Sequence, residues 1–374
     1  MRKNEEKRTK IFSAGRTRPT AAHPANPCSM LLPTLFLLFL LLILLPHTSK
    51  STTVPAASSS SSQTGQILIL PEIITTIAAH YSPRRIAHLH QTLETLNTYT
   101  STIKPPKVFI ISSDKTKTLS KLLELDPSPF SNKRYQLFIQ EPRDILSPGE
   151  ELMDPHRLTW LHRRIFEREF RPQEQEQIFM YLEDDINVPF RHLVNWWKDA
   201  DALYESENLV SSFYRVDGDP EAPSLGFLTD QFKNCEGEIW DVRQTMVSLR
   251  EDAHFVQLWN PYSACYALTT TMMRDFINSD EWDLEYLAST GNVMGMDVRE
   301  VAASGMMFTN LKKAPPFDWS TAVVPFDKES GALKVEGAVY HMDISKEEPN
   351  WCWVVSEARR TQSNHNHNHI HDEI

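Results

Sequence analysis

The chain has 374 residues, 41% hydrophobic and 23% charged, with a formal net charge of −11. That mix excludes wholesale disorder, collagen and coiled coil, and the length allows more than one average domain. Residues 1–29 hold seven basic side chains against only Glu5 and Glu6, so the remainder is more acidic than the whole. An acidic body argues against nucleic acid as a partner, because each phosphate contact wants a Lys or Arg.

Met30–Leu45 reads MLLPTLFLLFLLLILL. A membrane helix wants about 20 apolar residues, and a cleavable signal has an apolar core of about 7–15. Sixteen lies between the two, so both a signal anchor and a cleaved signal stay open. The long segment ahead and the lack of an A-x-A site after Leu45 favour the anchor. With its basic flank N-terminal, the positive-inside rule puts the body in the lumen. A short span suits the thin bilayer of the early secretory pathway. The expected organisation is a cytoplasmic basic tail 1–29, a signal anchor 30–46, a Ser/Thr-rich stem 47–66, a folded luminal body 67–358 and a His/Asn-rich tail 359–374. That describes a single-pass type II protein of the endoplasmic reticulum or Golgi membrane. Of its four cysteines, Cys235, Cys265 and Cys352 fall in the body, enough for one internal disulfide whose pairing stays open.

In the body, β-branched EIITTIAA predicts a buried strand near Ile73–Ala79. Ser82-Pro83 then caps a helix with Ile86, Leu89, Leu93 and Leu96 on one face. Lys107-VFIISS is a second strand, Thr118–Leu125 a short helix, and Tyr135-QLFIQ a third strand. A helix from about Pro155 to Phe170 carries Leu158, Leu161, Ile165 and Phe166 on one side, and Ile178-FMYLEDDI is a strand ending in acid. Strand and helix alternate throughout, which predicts an α/β fold: a doubly wound, mostly parallel sheet that binds ligands at the carboxyl ends of its strands. The second half is less regular, with aromatic clusters that suit an acceptor-binding region.

No G-x-G-x-x-G, G-x-x-x-x-G-K-[ST], H-E-x-x-H or G-x-S-x-G occurs, and no C-x-x-C that would hold structural zinc. What stands out is Glu183-Asp184-Asp185 at the end of an apolar strand. Three adjacent carboxylates repel one another, and a divalent cation with hard oxygen ligands offsets that cost. A luminal body on a short anchor, a hydrophobic strand, this triplet and a late histidine together resemble a glycosyltransferase of the GT-A fold.

The resemblance covers residues 67–200 by element order and is weaker from 200 to 345. It implies transfer of a sugar from a nucleotide sugar to a glycan, protein or lipid acceptor, with Mn²⁺ or Mg²⁺ held against the donor diphosphate. The triplet would stand for the Asp-x-Asp motif. Asp185 is then the first metal ligand, Glu183 or Asp184 joins it, and His341 supplies a nitrogen. In that fold the loop after the first strand grips the nucleotide. Here it offers Tyr81 for base stacking and Arg84 and Arg85 for the diphosphate. Asp114 would meet the ribose or base edge. Of the segment His156, Arg157, His162, Arg163 and Arg164, one member (Arg157 foremost) would face the phosphates and the others would be solvated. Asp297 and Glu300, at i and i+3, share one helix side and are the expected catalytic bases if configuration inverts; if it is retained, the carboxylate only positions the acceptor, and the sequence leaves the two open. Glu300 is preferred, since Ala302 and Ala303 leave room behind it. Two other readings compete: a luminal glycan-binding protein using Trp196-Trp197 and Trp351-Cys352-Trp353, and a metal-dependent phosphohydrolase, which would need ligands for a second metal.

Overall fold

A computed structural model describes residues 69–127, 133–152, 154–217, 227–228, 246–258, 262–283, 298–308 and 320–342. All lie in the compact unit Gly65–Ile374. The expected tail, anchor, stem and His/Asn-rich end fall outside the described residues, as do Asp297, Cys235 and Cys352. Among the described residues, no helix is long and apolar enough to cross a membrane.

The first half follows the expected alternation. Strand β1 (Glu72–Ala79) is buried along its whole length, as a β-branched run covered on both faces should be. Helix α1 (Pro83–Asn97) starts where Ser82 accepts a hydrogen bond from the Arg85 amide, and it buries Ile86, Leu89, Leu93 and Leu96. Strand β2 (Lys107–Ser112), helix α2 (Lys115–Leu125), strand β3 (Gln136–Gln140) and the short α3 (Pro142–Ile145) follow. The helix expected over 155–170 is divided: a 3₁₀ turn covers Pro155–Trp160 and α4 covers Leu161–Glu169. Its four predicted apolar positions are all buried. Strand β4 (Gln177–Glu183) then returns to the sheet centre.

Strands β1 to β4 pair in parallel in the order β3-β2-β1-β4. The register sets Ala78 beside Glu183, so β1 and β4 deliver their ends to one edge.

The second half contains β5 (Ile186–Asn187), α5 (Phe190–Glu207), β6 (Val210–Ser211), β7 (Tyr214–Asp217), β8 (Phe227–Leu228), β9 (Met246–Arg250), β10 (Ala253–Gln257) and β11 (Cys265–Thr269). Then come α6 (Thr270–Ile277), α7 (Val298–Ser304), β12 (Ala322–Asp327), β13 (Ala332–Leu333) and β14 (Ala338–His341). Strand β11 joins the main sheet antiparallel to β4. Where the sequence suggested irregular structure, two further sheets form: β13-β12-β10-β9 with β6 beside β12, and β5-β14-β7-β8. The smaller one matters for position, because β14 pairs with β5 and sets His341 opposite Ile186, directly after the acids. Trp196 does not present itself for a ligand: it is 3% exposed, and its indole N–H donates to the Ser211 carbonyl at 2.8 Å.

Candidate active site

Ile178, Phe179, Met180, Tyr181 and Leu182 are wholly buried, and that apolar strand carries the acids to the sheet's carboxyl edge. There the backbone is pinned from three sides. The Glu183 amide donates to the Ala264 carbonyl at 3.0 Å, and the Met342 amide donates to the Asp185 carbonyl at 2.9 Å. From α1, the Thr92 hydroxyl reaches the carbonyls of Asp184 and Ile186 at 3.4 and 3.3 Å. Ala264 has φ 56°, a left-handed conformation that costs a residue with a Cβ and persists where the surroundings dictate it.

Asp184 and Asp185 are buried, at 0% and 1% exposure. Buried carboxylates need compensation, and each acid of the triplet has a partner, one of them shared. The Arg85 guanidinium forks over two of them, 2.9 Å from Asp184 Oδ1 and 3.1 Å from Asp185 Oδ2. His341 Nε2 lies 3.4 Å from Asp185 Oδ2. The Tyr262 hydroxyl donates to Glu183 Oε1 at 2.9 Å. Compensation is incomplete for Asp184. Burial pushes its carboxyl well above the usual range; Arg85 opposes the shift, while Asp185 and Glu183 add to it.

These residues fit a divalent cation. The donors are hard carboxylate oxygens beside one imidazole nitrogen, the set that suits Mn²⁺ or Mg²⁺. Asp184 Oδ2 is buried and has no hydrogen-bond partner among the described residues. Elsewhere, His90, Glu94 and Asp126 bring three ligand atoms within 4.8 Å of one another. The two carboxylates already hold the Lys133 ammonium, at 2.7 and 2.9 Å.

The other expected residues are placed unevenly. Tyr81 is half-buried: its amide donates to Ser113 Oγ at 3.0 Å, and the Lys117 ammonium lies 5.6 Å from its ring. Asp114 caps α2, accepting from the Lys117 amide at 2.9 Å, which holds its carboxyl below the usual range. Arg84 and Arg157 are exposed, on α1 and on the 3₁₀ turn. Two members of the 156–164 segment depart from expectation: neither His162 nor Arg163 is solvated or faces a ligand cleft. His162 is buried with Nε2 2.5 Å from the Tyr266 hydroxyl and Nδ1 against the Thr159 carbonyl. Arg163 is caged by Trp160, Phe276 and Trp282, and burial lowers its pKa to about 9. Both lie in α4, and His162 stands at helical spacing from Leu158, Ile165 and Phe166, on the buried face of that helix.

Glu300 lies in the first turn of α7, half-buried, and its charge reaches the Tyr262 phenol. Trp160 Nε1 donates to the Val298 carbonyl at 2.7 Å, fastening α7 to the 3₁₀ turn that bears His156 and Arg157. Three participants escaped the sequence reading. Tyr262 binds Glu183 across the chain. His80 follows β1, and burial, then the charges of Arg85, His156 and Arg299, hold its imidazole below the ordinary pKa. Arg85 and Arg299 therefore bring guanidinium charge beside a His80 imidazole that burial keeps neutral. The alternation of strands could have pointed to His80, since it follows a strand end; nothing local marks Tyr262 or Arg299.

No known family model matches the chain. No curated protein matches it in sequence. Solved structures do resemble it. S. aureus TarS 1-349 in complex with UDP-GlcNAc is 13% identical with a TM-score of 0.36, over 74% of this chain and 60% of that one. The chain thus spans less than two thirds of that structure. Galactosyltransferase LgtC, in complex with donor and acceptor sugar analogs, is 9% identical with a TM-score of 0.35, over 78% of this chain and 95% of that one. Mouse xyloside xylosyltransferase 1, in its apo form, is 10% identical with a TM-score of 0.40, over 75% of this chain and 100% of that one.

Proposed function

We propose that the protein is a metal-dependent glycosyltransferase that moves a sugar from a nucleotide-sugar donor to a hydroxyl of a glycan, protein or lipid acceptor. The observation that carries this reading is the buried pair Asp184–Asp185 at the carboxyl end of a central parallel strand, with Arg85 and His341 packed on it. Ligands of open α/β sheets bind at such strand ends. The acids suit a hard cation and the Arg85 guanidinium suits phosphate, so the two halves of the site match the two halves of a metal–diphosphate pair.

In this reading Asp185 and His341 hold the cation, with Asp184 or Glu183 as the further oxygen donor. When bound, the cation supplies positive charge to the leaving diphosphate. Tyr262 keeps Glu183 aimed at the site through its hydroxyl. Arg85 and Arg299 neutralise phosphate oxygens, and the His80 imidazole hydrogen-bonds to them. Glu300, or Asp297 beside it in sequence, takes the proton of the acceptor hydroxyl. The acceptor oxygen bonds to the anomeric carbon, the bond from that carbon to the diphosphate oxygen breaks, and the nucleoside diphosphate leaves.

We further propose that the body works in the endoplasmic reticulum or Golgi lumen on a type II anchor at 30–46. The basic flank before the apolar run supports that orientation.

The test is a panel of nucleotide sugars with Mn²⁺, Mg²⁺ or chelator, following release of nucleoside diphosphate with and without sugar acceptors. Metal-dependent release that rises with one acceptor class supports transfer. Cleavage of simple phosphoesters in place of nucleotide sugars would point to a phosphohydrolase and overturn the reading.

A further inference from the structure

Arg85 occupies a position with consequences for ligand order. Its backbone is fixed in the first turn of α1, where its amide donates to Ser82 Oγ at 3.2 Å. Its guanidinium contacts one oxygen of each buried carboxylate, at 2.9 and 3.1 Å, and the side chain remains 25% exposed. A planar fork matches two acceptors at once, whereas an ammonium acts as a point charge. The guanidinium thus already supplies the positive charge that the two acids require. A divalent cation drawn to Asp184 and Asp185 competes with Arg85 for the same acids.

We propose that Arg85 is an internal counter-cation, which holds the acid pair while the protein is metal-free and passes to the nucleotide's diphosphate when metal binds, so that divalent cation and nucleoside diphosphate bind cooperatively. This rests on the metal and diphosphate reading above and deepens it. Displaced without an anion at hand, the guanidinium would face the Arg299 charge, which already bears on the same region. Like charges in a partly buried place repel. A diphosphate gives both guanidinium groups an anionic partner and removes that penalty. Metal alone therefore binds weakly, metal with nucleotide tightly, and by reciprocity the nucleotide gains from metal by the same factor.

A purely structural arginine predicts something else. If Arg85 only maintained the fold or only touched phosphate, its loss would leave Mn²⁺ affinity without nucleotide unchanged or weaker. If it competes with the metal, its loss makes that affinity tighter. The experiment uses the full chain and measures free Mn²⁺ by electron paramagnetic resonance, first with Mn²⁺ alone and then with UDP present. Arg85→Met should bind Mn²⁺ alone more tightly, on the order of tenfold, and UDP should tighten Mn²⁺ binding by a smaller factor than in the wild type. Arg85→Lys keeps the charge but not the fork, so it should fall between them; it decides the matter if the methionine variant does not fold. Mn²⁺ affinity without UDP that is no tighter than wild type in the folded variants overturns the inference and leaves the proposed function standing. A wild type that binds neither Mn²⁺ nor UDP overturns both.

Discussion

Tyr262 donates its phenol hydrogen to Glu183 Oε1 across 2.9 Å, joining the segment before β11 to the first acid of a triplet 79 positions away. Burial, with the neighbouring Glu183 charge, pushes that phenol well above its ordinary pKa, so it remains a donor at any working pH. Glu183 is the only acid of the three that is not fully buried, and this bond limits where its carboxylate can swing.

Replacing Tyr262 with Phe keeps the ring and removes the donor. A hydrogen bond to a charged group contributes about 1.5–3 kcal/mol, so stability should fall by no more than that. Transfer should drop on the order of tenfold, the cost of roughly 1.4 kcal/mol in the transition state, as Glu183 loses its aim. Steady-state kinetics and a melting curve check both numbers; full activity in Tyr262→Phe would mean that Glu183 does not depend on this bond for its position.

Asp185→Asn tests the acids directly. It removes one of two adjacent buried carboxylates while leaving an oxygen for Arg85, so the metal-free fold should hold. Mn²⁺-dependent nucleotide-sugar binding and transfer should vanish. Marked unfolding of the variant in chelator would instead show that the acids serve mainly to pair with Arg85.

Much of this was legible along the chain and some of it was not, for a physical reason. The parallel half read correctly because each strand and helix declares itself locally: β-branched residues in β1, a Ser-Pro start and a 3-4-3 apolar spacing in α1. The acid triplet was visible because three charges at the end of an apolar run are costly without a partner. His341 was marked as a late histidine, and the pairing of β14 with β5 brings it to Asp185. What stayed hidden were the partners. Arg85 lies 100 positions from Asp185, and Tyr262 is set by an antiparallel strand whose pairing no local pattern encodes. Arg163 reads as a surface charge because two of the rings that cage it, Phe276 and Trp282, come from more than 100 positions away, whereas His162 shares the apolar helix face with Ile165 and Phe166.

Gly305 is a site where a single methyl should be costly. A Cβ there would stand 2.6 Å from Arg163 Nη2 and 3.2 Å from the Phe276 ring. Arg163 has little freedom to yield, since it is stacked 3.8 Å from the Trp160 ring and donates to the carbonyls of Glu281 and Trp282. Overpacking of this kind costs about 1–3 kcal/mol. Denaturant melts of Gly305→Ala should show a loss in that range; an unchanged midpoint would mean that Arg163 moves more easily than its cage suggests.

Acid should weaken the fold through buried histidine. Burial, and then the Arg163 charge, hold His162 well below its ordinary pKa, while the unfolded chain titrates near 6.5. The unfolded state thus binds the extra proton first. Stability is fully present above about pH 6.5 and is lost as pH falls below it, by up to about 1.4 kcal/mol per unit for each such group. His80 and His192 shift the same way, and Asp184 shifts in the opposite sense, so the difference between wild type and variant is the quantity to read. Urea unfolding at pH 7.5 and 5.5 should show a smaller acid loss for His162→Gln than for the wild type. Equal losses would mean that His162 accepts its proton inside the fold.

The base is the last matter to test. Glu300 sits in the first turn of α7, a helix fastened to the 3₁₀ turn through Trp160 and buried along Val301, Ala302 and Ala303. Its charge is felt at Tyr262, which in turn holds Glu183, so the carboxylate belongs to the same neighbourhood as the acids. A general base contributes roughly 10²–10⁴-fold to rate. Glu300→Gln keeps size and hydrogen-bonding capacity but cannot take a proton, so kcat should fall by that order while donor affinity stays near wild type. In the smaller variant Glu300→Ala, a small external carboxylate such as formate should restore part of the rate if only the proton acceptor was lost. Loss of activity in Asp297→Asn with Glu300→Gln unaffected would move the role to Asp297, and full activity in both would place the base outside this segment.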